Sequence, residues 1–301
     1  MDIGCQVYRV EIMKKLLVPT ILKVIVLSGF IAVYGLAATG NEKLLAKAWS
    51  DVGYLDYRQA CIIFERLYAE TKPESADWRE ITLGLALCLH QRQPDNKADK
   101  ERAKQLYDKL IASSDGKSIQ ATALLLRGKL YQLNDYFGDK VNFKKAAEDY
   151  RRILRDWPES DCADEAALYL AQTSMYTMDK EATAKSIVQL KQWMDTHPNS
   201  KYIASYWLLI ALADRMPLKD QSAAVDASLK AIDAGLPKEM EKDVLYWRIA
   251  TMAQNIGKTQ IAHDFYLRII KLKRSSYTYS AQQKIIAMGF DAPKLLNPFE
   301  D

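Results

Sequence analysis

The sequence predicts an all-α fold in which antiparallel helix pairs stack as a solenoid from about residue 41 to residue 290. Three observations predict it. Apolar and small residues recur at three- and four-residue intervals, as in Ala146, Tyr150 and Ile153, which is the helical period. The chain resembles itself at an offset of 40 residues: Pro158-Glu159-Ser160, then Ala167 and Leu170-Ala171, correspond to Pro198-Asn199-Ser200, then Trp207 and Ile210-Ala211. Self-similarity at such a period marks repeat architectures. Finally, 49% hydrophobic residues supply a core, while 12 Gly and 9 Pro are few turn formers for an all-β chain of this length.

Residues 1–38 form the first element. Met13-Lys14-Lys15 precedes a run from Leu16 to Ala38 that is mostly apolar and broken by Lys23. A basic stretch, an apolar stretch and small residues at its end make a secretory signal, with cleavage expected after Ala37 or Ala38. The same run approaches the roughly 20 residues that cross a bilayer, so retention as an anchor is the alternative. In either case Lys14, Lys15 and Lys23 hold the N-terminal side in the cytoplasm and the body is exported. The residues before Met13 fit no part of a signal, which makes Met13 an alternative start. No cysteine follows the run, so lipid attachment there is not expected.

Six helix pairs are expected between about Asn41 and Arg274, with Tyr277 to Met288 as a closing helix and residues 291–301 as a tail. The second helices carry the clearest pattern. Ala60, Phe64 and Leu67 are spaced by four and three, as are Ala103, Tyr107 and Leu110, Ala146, Tyr150 and Ile153, and Ala262, Tyr266 and Ile269. Trp157-Pro158 ends one of these helices, because proline lacks the amide hydrogen and clashes with the preceding turn. Ser160 or Asp161 is placed to cap the next. First helices show Gly128 with Tyr131, Ala167-Leu170-Ala171, Trp207-Ile210-Ala211 and Tyr246-Ile249-Ala250. Longer connections fall around Gln93-Pro94-Asp95-Asn96 and Tyr136-Phe137-Gly138-Asp139. The unit on Ala224, Ser228 and Ala231 fits less well. Tyr150, Trp157, Trp193 and Trp207 are expected between helices.

This arrangement resembles the tetratricopeptide repeat (TPR), whose second helix has Ala, an aromatic four later, a small or apolar residue three later, and Pro five beyond. Ala146, Tyr150, Ile153 and Pro158 match all four positions; the other three copies match the first three. The stretch from Trp157 to Ala171 is similar to the periplasmic subgroup, the outer-membrane assembly lipoproteins of the BamD type and the Tol-Pal coordinator, although the lipid-attachment cysteine of the former is missing. The resemblance implies a right-handed superhelix that binds protein or peptide segments in a concave groove lined by first helices. Carried onto this chain, the groove positions are Leu125 and Lys129, Leu168, Gln172 and Met175, Leu208 and Arg215, and Trp247 and Gln254.

Chemistry of other kinds finds little footing. Net charge is +4, and the leader's four cations and two anions account for half of it, so the body is nearly neutral. Nucleic-acid binding needs cations gathered on one face and is not expected. Cys5, Cys61, Cys88 and Cys162 have no C-x-x-C spacing and no histidine at zinc-ligand spacing, so no metal site or disulfide framework is expected. His90, His197 and His263 lie in separate repeats without a nucleophile and orienting carboxylate, and His263 is expected in solvent. Asp161, Asp164 and Glu165 suit a helix start. Gly257-Lys258-Thr259 lacks the upstream glycine of a phosphate loop and is expected as a turn between paired helices. The functional expectation is an extracytoplasmic scaffold, periplasmic in a double-membrane bacterium, serving envelope assembly or division, with no enzymatic site and no cofactor. The alternatives are a membrane-anchored structural subunit of a secretion complex and a helical-repeat enzyme acting on glycan or peptide.

Overall fold

The fold is described from a computed structural model over residues 40–94, 96–113, 117–132, 141–238, 240–272 and 275–294. The apolar leader and the Tyr136–Asp139 connection lie outside the described residues. Among these there are thirteen α-helices and no strand. In chain order the helices are α1 (Gly40–Gly53), α2 (Tyr57–Glu70), α3 (Ala76–Gln91), α4 (Lys97–Ala112), α5 (Lys117–Gln132), α6 (Phe143–Asp156), α7 (Ala163–Tyr176), α8 (Lys180–Thr196), α9 (Ile203–Ala213), α10 (Gln221–Asp233), α11 (Lys242–Asn255), α12 (Thr259–Ile270) and α13 (Thr278–Ala287), and α1 pairs with α2, α3 with α4, α5 with α6, α9 with α10 and α11 with α12. Twelve helices followed by a closing one agree in number and order with the sequence pattern. None of these helices is long and apolar enough to cross a membrane.

Two compact units divide the described residues, one up to Thr173 and one from Ser174. In the first, each helix from α1 to α6 packs on the next, and α7 joins through the stack of Tyr169 on Tyr150. In the second, α9 packs on α10, α11 on α12, and α12 on α13. Consecutive neighbours carry the packing, as expected for helical repeats.

The four Ala–aromatic–apolar triads are the centres of these contacts. All twelve side chains are at most 1% exposed. Two first-helix glycines explain how the rings fit. A Cβ at Gly128 would lie 2.5 Å from the Tyr150 ring, and one at Gly84 would run into Phe64. The bare backbone lets helix and ring approach closely, at the entropic cost glycine brings to a helix interior.

Six helices begin with a side-chain cap. Asp56, Ser75, Asn96, Asn142, Asp179 and Asp220 each accept a hydrogen bond from an amide of the first turn, satisfying donors that a helix start leaves open. Helix α7 differs from the sequence expectation. The Ser160 hydroxyl is buried without a hydrogen-bond partner. Backbone turns take its place, with Ser160 N–H donating to Trp157 O at 3.1 Å and Ala163 N–H to Ser160 O at 2.9 Å. Trp157-Pro158 does end α6, at Asp156, and Gly257, at φ +74°, makes the turn from α11 to α12.

The tryptophans correct a second expectation. Tyr150 is fully buried, but Trp157, Trp193 and Trp207 are only partly so. Arg152 covers Trp157, Lys230 sits 4.5 Å above Trp207, and Trp193 stacks on His197 at 3.8 Å. On α8 the inward residues are Ile187, Leu190 and Met194. The step from Leu190 to the next core residue is four, not three, which turns Trp193 to the flank.

At the end of α13, Phe290 N–H donates to Ile285 O and Gly289 N–H to Ile286 O, with Gly289 at φ +83°. This hydrogen-bond pair is a Schellman motif, which reverses the chain. The tail then lies back on the last pair: Phe290 stacks on His263 at 4.3 Å and Gln282 donates to Pro293 O at 3.0 Å. His263 is thus covered by the tail and not solvated.

Candidate functional site

First helices carry the expected groove residues, and the two units treat them differently. In the first unit Leu125 is 1% exposed and belongs to the core, which removes it from any open surface. Lys129 donates to Glu165 at 2.5 Å and lies 4.5 Å from the centre of the Tyr169 ring. Glu165 stands in the first turn of α7, as expected of a helix-start acid, and from there forms an ion pair in which both side chains are largely buried. Leu168 is partly buried, and Gln172 is buried. Leu125 and Gln172 are buried and Lys129 is held by Glu165, so these three make no open surface.

In the second unit Met175 is also buried. Leu208, Arg215, Trp247 and Gln254 are partly exposed. Arg215 sits in a π-helical turn, Asp214–Leu218, that contains Pro217 and extends α9. Gln254 accepts a hydrogen bond from the Tyr266 hydroxyl at 3.0 Å. Trp247 lies edge-on to the same Tyr266 ring, 5.5 Å away, and stacks on Tyr277 at 5.1 Å and 19°. Trp247 and Gln254 are thereby brought to one ring from successive parts of α11.

Sequence reasoning passed over the residues that complete this region. Tyr277 enters from the start of α13, and Ser275 ties that start to α11 by donating to Asp243 at 3.0 Å. Arg248, beside Trp247, is partly buried. Burial pushes its pKa down, and Tyr277 and Glu241 oppose that shift without reversing it. The adjacency of Trp247 and Arg248 was visible in the sequence; their shared neighbour Tyr277, thirty positions on, was not.

Elsewhere the reactive side chains are spent on packing. Cys61 and Cys88 are buried free thiols, and burial raises the pKa of both, which disfavours the thiolate. Among the described residues no group of three His, Cys, Asp or Glu is placed to hold a metal ion. His90 is buried against Tyr107, sharing a hydrogen bond of 3.3 Å with its hydroxyl.

Burial first, then the charges of Lys129 and Lys100, push the His90 pKa down to about 3 from 6.5. The unfolded histidine takes up a proton that the folded one refuses. Its contribution to stability is therefore complete above 6.5 and is lost as pH falls toward 3. Between pH 7 and pH 5 the loss should be about 2 kcal/mol. Urea unfolding at the two pH values should show it, and His90→Gln should flatten it. A fall of the same size in the variant would place the sensitivity at another group.

No family model matches the chain, and no curated protein matches it either.

Proposed function

We propose that this chain is an extracytoplasmic scaffold of the tetratricopeptide type, which holds a segment of another protein against its first helices and catalyses no reaction. The observation that carries the reading is the contrast between helix rows. Every second-helix triad residue is sealed in the core, while Trp207, Leu208 and Trp247 on first helices keep part of their large apolar surface open. Partly exposed aromatics with few rotatable bonds are favoured anchors in protein interfaces. The apolar N-terminal segment supports export, and the Trp157–Ala171 pattern supports a place among periplasmic members that serve envelope assembly or division.

A crosslinking pull-down from the envelope tests the reading. Trp247→Ala should lower recovery of the captured partner at least about tenfold, roughly 1.4 kcal/mol. Arg215→Ala should act more weakly and chiefly at low salt. Circular dichroism and a thermal midpoint come first, since Trp247 also touches Tyr266 and Tyr277. Equal recovery by folded variants and wild type would remove the first-helix surface as the binding site. Mass spectrometry of the mature N-terminus separates a processed scaffold from an anchored subunit of a secretion complex.

A further inference from the structure

The outward face of α13 differs from those of α2 and α8. Tyr279 and Ile286 stand 66% and 52% exposed, with the exposed Gln283 between them on the same face, four residues on from one and three before the other. Ser280 and Ala287, the other exposed residues of the helix, are also uncharged. Ile62 on α2 and Val188 on α8 are exposed as well, but their helices also expose Arg58, Arg66, Lys185 and Lys191. Single apolar residues in such settings are ordinary. A face that joins two large apolar side chains and lacks charge has the composition of an interface core.

Comparison with α9 shows what becomes of such a face elsewhere in this fold. The two helices start alike: the Ser200 hydroxyl accepts from Tyr202 N–H and the Ser275 hydroxyl from Tyr277 N–H, each at 3.1 Å. In that register Ala281 and Ile285 correspond to Tyr206 and Ile210, and all four are buried. Tyr279 and Ile286 correspond to Ala204 and Ala211, which are buried on α9, the helix that packs on the α10 that follows it. Among the described residues no helix follows α13. The tail turns back past Gly289 to α12, where Phe290 meets His263, and touches α13 at Gln282. Tyr279 and Ile286 stay open beside it.

The placing of the two side chains selects the occupant. Tyr279 and Ile286 are equidistant from the midpoint of α13 (Thr278–Ala287), which falls between Gln282 and Gln283. Turned end for end, the same helix offers Ile286 where Tyr279 stood, which is the self-complementarity that a two-fold contact requires. We propose that a second copy of this chain covers α13 with its own α13, antiparallel about a two-fold axis close to Gln283, so that Tyr279 of each copy packs on Ile286 of the other. The contact uses none of Trp207, Leu208 and Trp247 and does not rest on the first-helix binding reading. One helix of 10 residues per copy makes a contact smaller than that of a permanent dimer, so association is weak, with a dissociation constant of roughly 10–100 µM.

Sedimentation equilibrium of the full chain tests it, under reducing conditions and in mild detergent that keeps the apolar leader dispersed. Wild type should pass from one copy to two over that concentration range. Tyr279→Glu and Ile286→Glu should each weaken dimerisation at least about tenfold, with the thermal midpoint held within about 2 °C because both side chains are exposed. Gln283→Lys alone and Gln283→Glu alone should each weaken it about threefold or more, since each new charge would meet its own copy across the axis. An equimolar mixture of those two variants should recover wild-type affinity or exceed it. A wild type that stays monomeric throughout the range would overturn the proposal. Dimers unaffected by Tyr279→Glu and Ile286→Glu would overturn it too, placing the contact on another surface. A mixture that binds no more tightly than its components would exclude the two-fold geometry. Dimers formed only by a chain shortened to Lys294 would assign the face to residues 295–301 of the same chain and would likewise overturn it.

Discussion

Tyr150→Ala should lower the free energy of unfolding of the first unit by about 3–5 kcal/mol, the range for truncating a large core aromatic. The side chain is fully buried. Its ring lies against the bare backbone of Gly128 and stacks on Tyr169, with centroids 5.7 Å apart. Its hydroxyl donates to Gln132 Oε1 at 2.9 Å. Truncation empties the space between α5, α6 and α7 and strands that amide oxygen. The two contributions separate by experiment: Tyr150→Phe keeps the ring and should cost about 1 kcal/mol, the net value of one hydrogen bond. Gly128→Ala attacks the same contact from the other side, since its methyl would meet the ring, and should cost about 1–3 kcal/mol by overpacking. Urea unfolding with unchanged slope measures all three. A loss below about 1 kcal/mol for Tyr150→Ala would mean that the ring is not the centre of the α5–α6 contact.

That contact could be read in the sequence because every residue in it obeys a local rule. Ala146, Tyr150 and Ile153 lie on one face of one helix, and a helix pair buries that face whatever stands further along. Helix ends were legible for the same reason at Trp157-Pro158 and Gly257, where proline chemistry and a left-handed turn act within a few residues. The groove obeyed no local rule. Leu125 and Leu208 are both leucines on first helices, yet one is sealed and the other partly open, because exposure is decided by the neighbouring repeat. Lys129 was a reasonable lining residue until Glu165, from the next pair, took its charge. His263 was expected in solvent, and the tail returning beyond Gly289 covered it. The partner of each of these residues is either far along the chain or, like Phe290, brought back by a turn. Trp193 failed more simply: the 40-residue offset sets it level with Ile153, three residues after Tyr150, whereas on α8 the step from Leu190 to the next core residue, Met194, is four.

The ion pair between Arg127 and Asp149 gives the other large effect expected. Asp149 lies on α6 with its side chain 7% exposed, and Arg127 on α5 donates to it through two nitrogens, at 2.9 and 2.5 Å. Burial raises the Asp149 pKa, and the bonds from Arg127 oppose that rise. Arg127→Met removes the opposition and leaves the carboxylate buried without its cation, which should cost about 3–5 kcal/mol at neutral pH. The penalty should shrink in acid. Without Arg127 the folded-state pKa of Asp149 stands further above the unfolded value, so the protonated folded form escapes the cost at low pH and stability falls as pH rises. Asp108, the second partner of Arg127, is 45% exposed, and Asp108→Asn should cost under about 1 kcal/mol, as surface pairs do. Combining Arg127→Met with Asp149→Leu replaces both charges by apolar groups of similar size and should restore stability to within about 1–2 kcal/mol of wild type, since a buried ion pair seldom outweighs the desolvation of its members. Equal losses in the single and double variants would show that the lost packing of the Arg127 stem between α5 and α6, and not the stranded carboxylate, carries the cost.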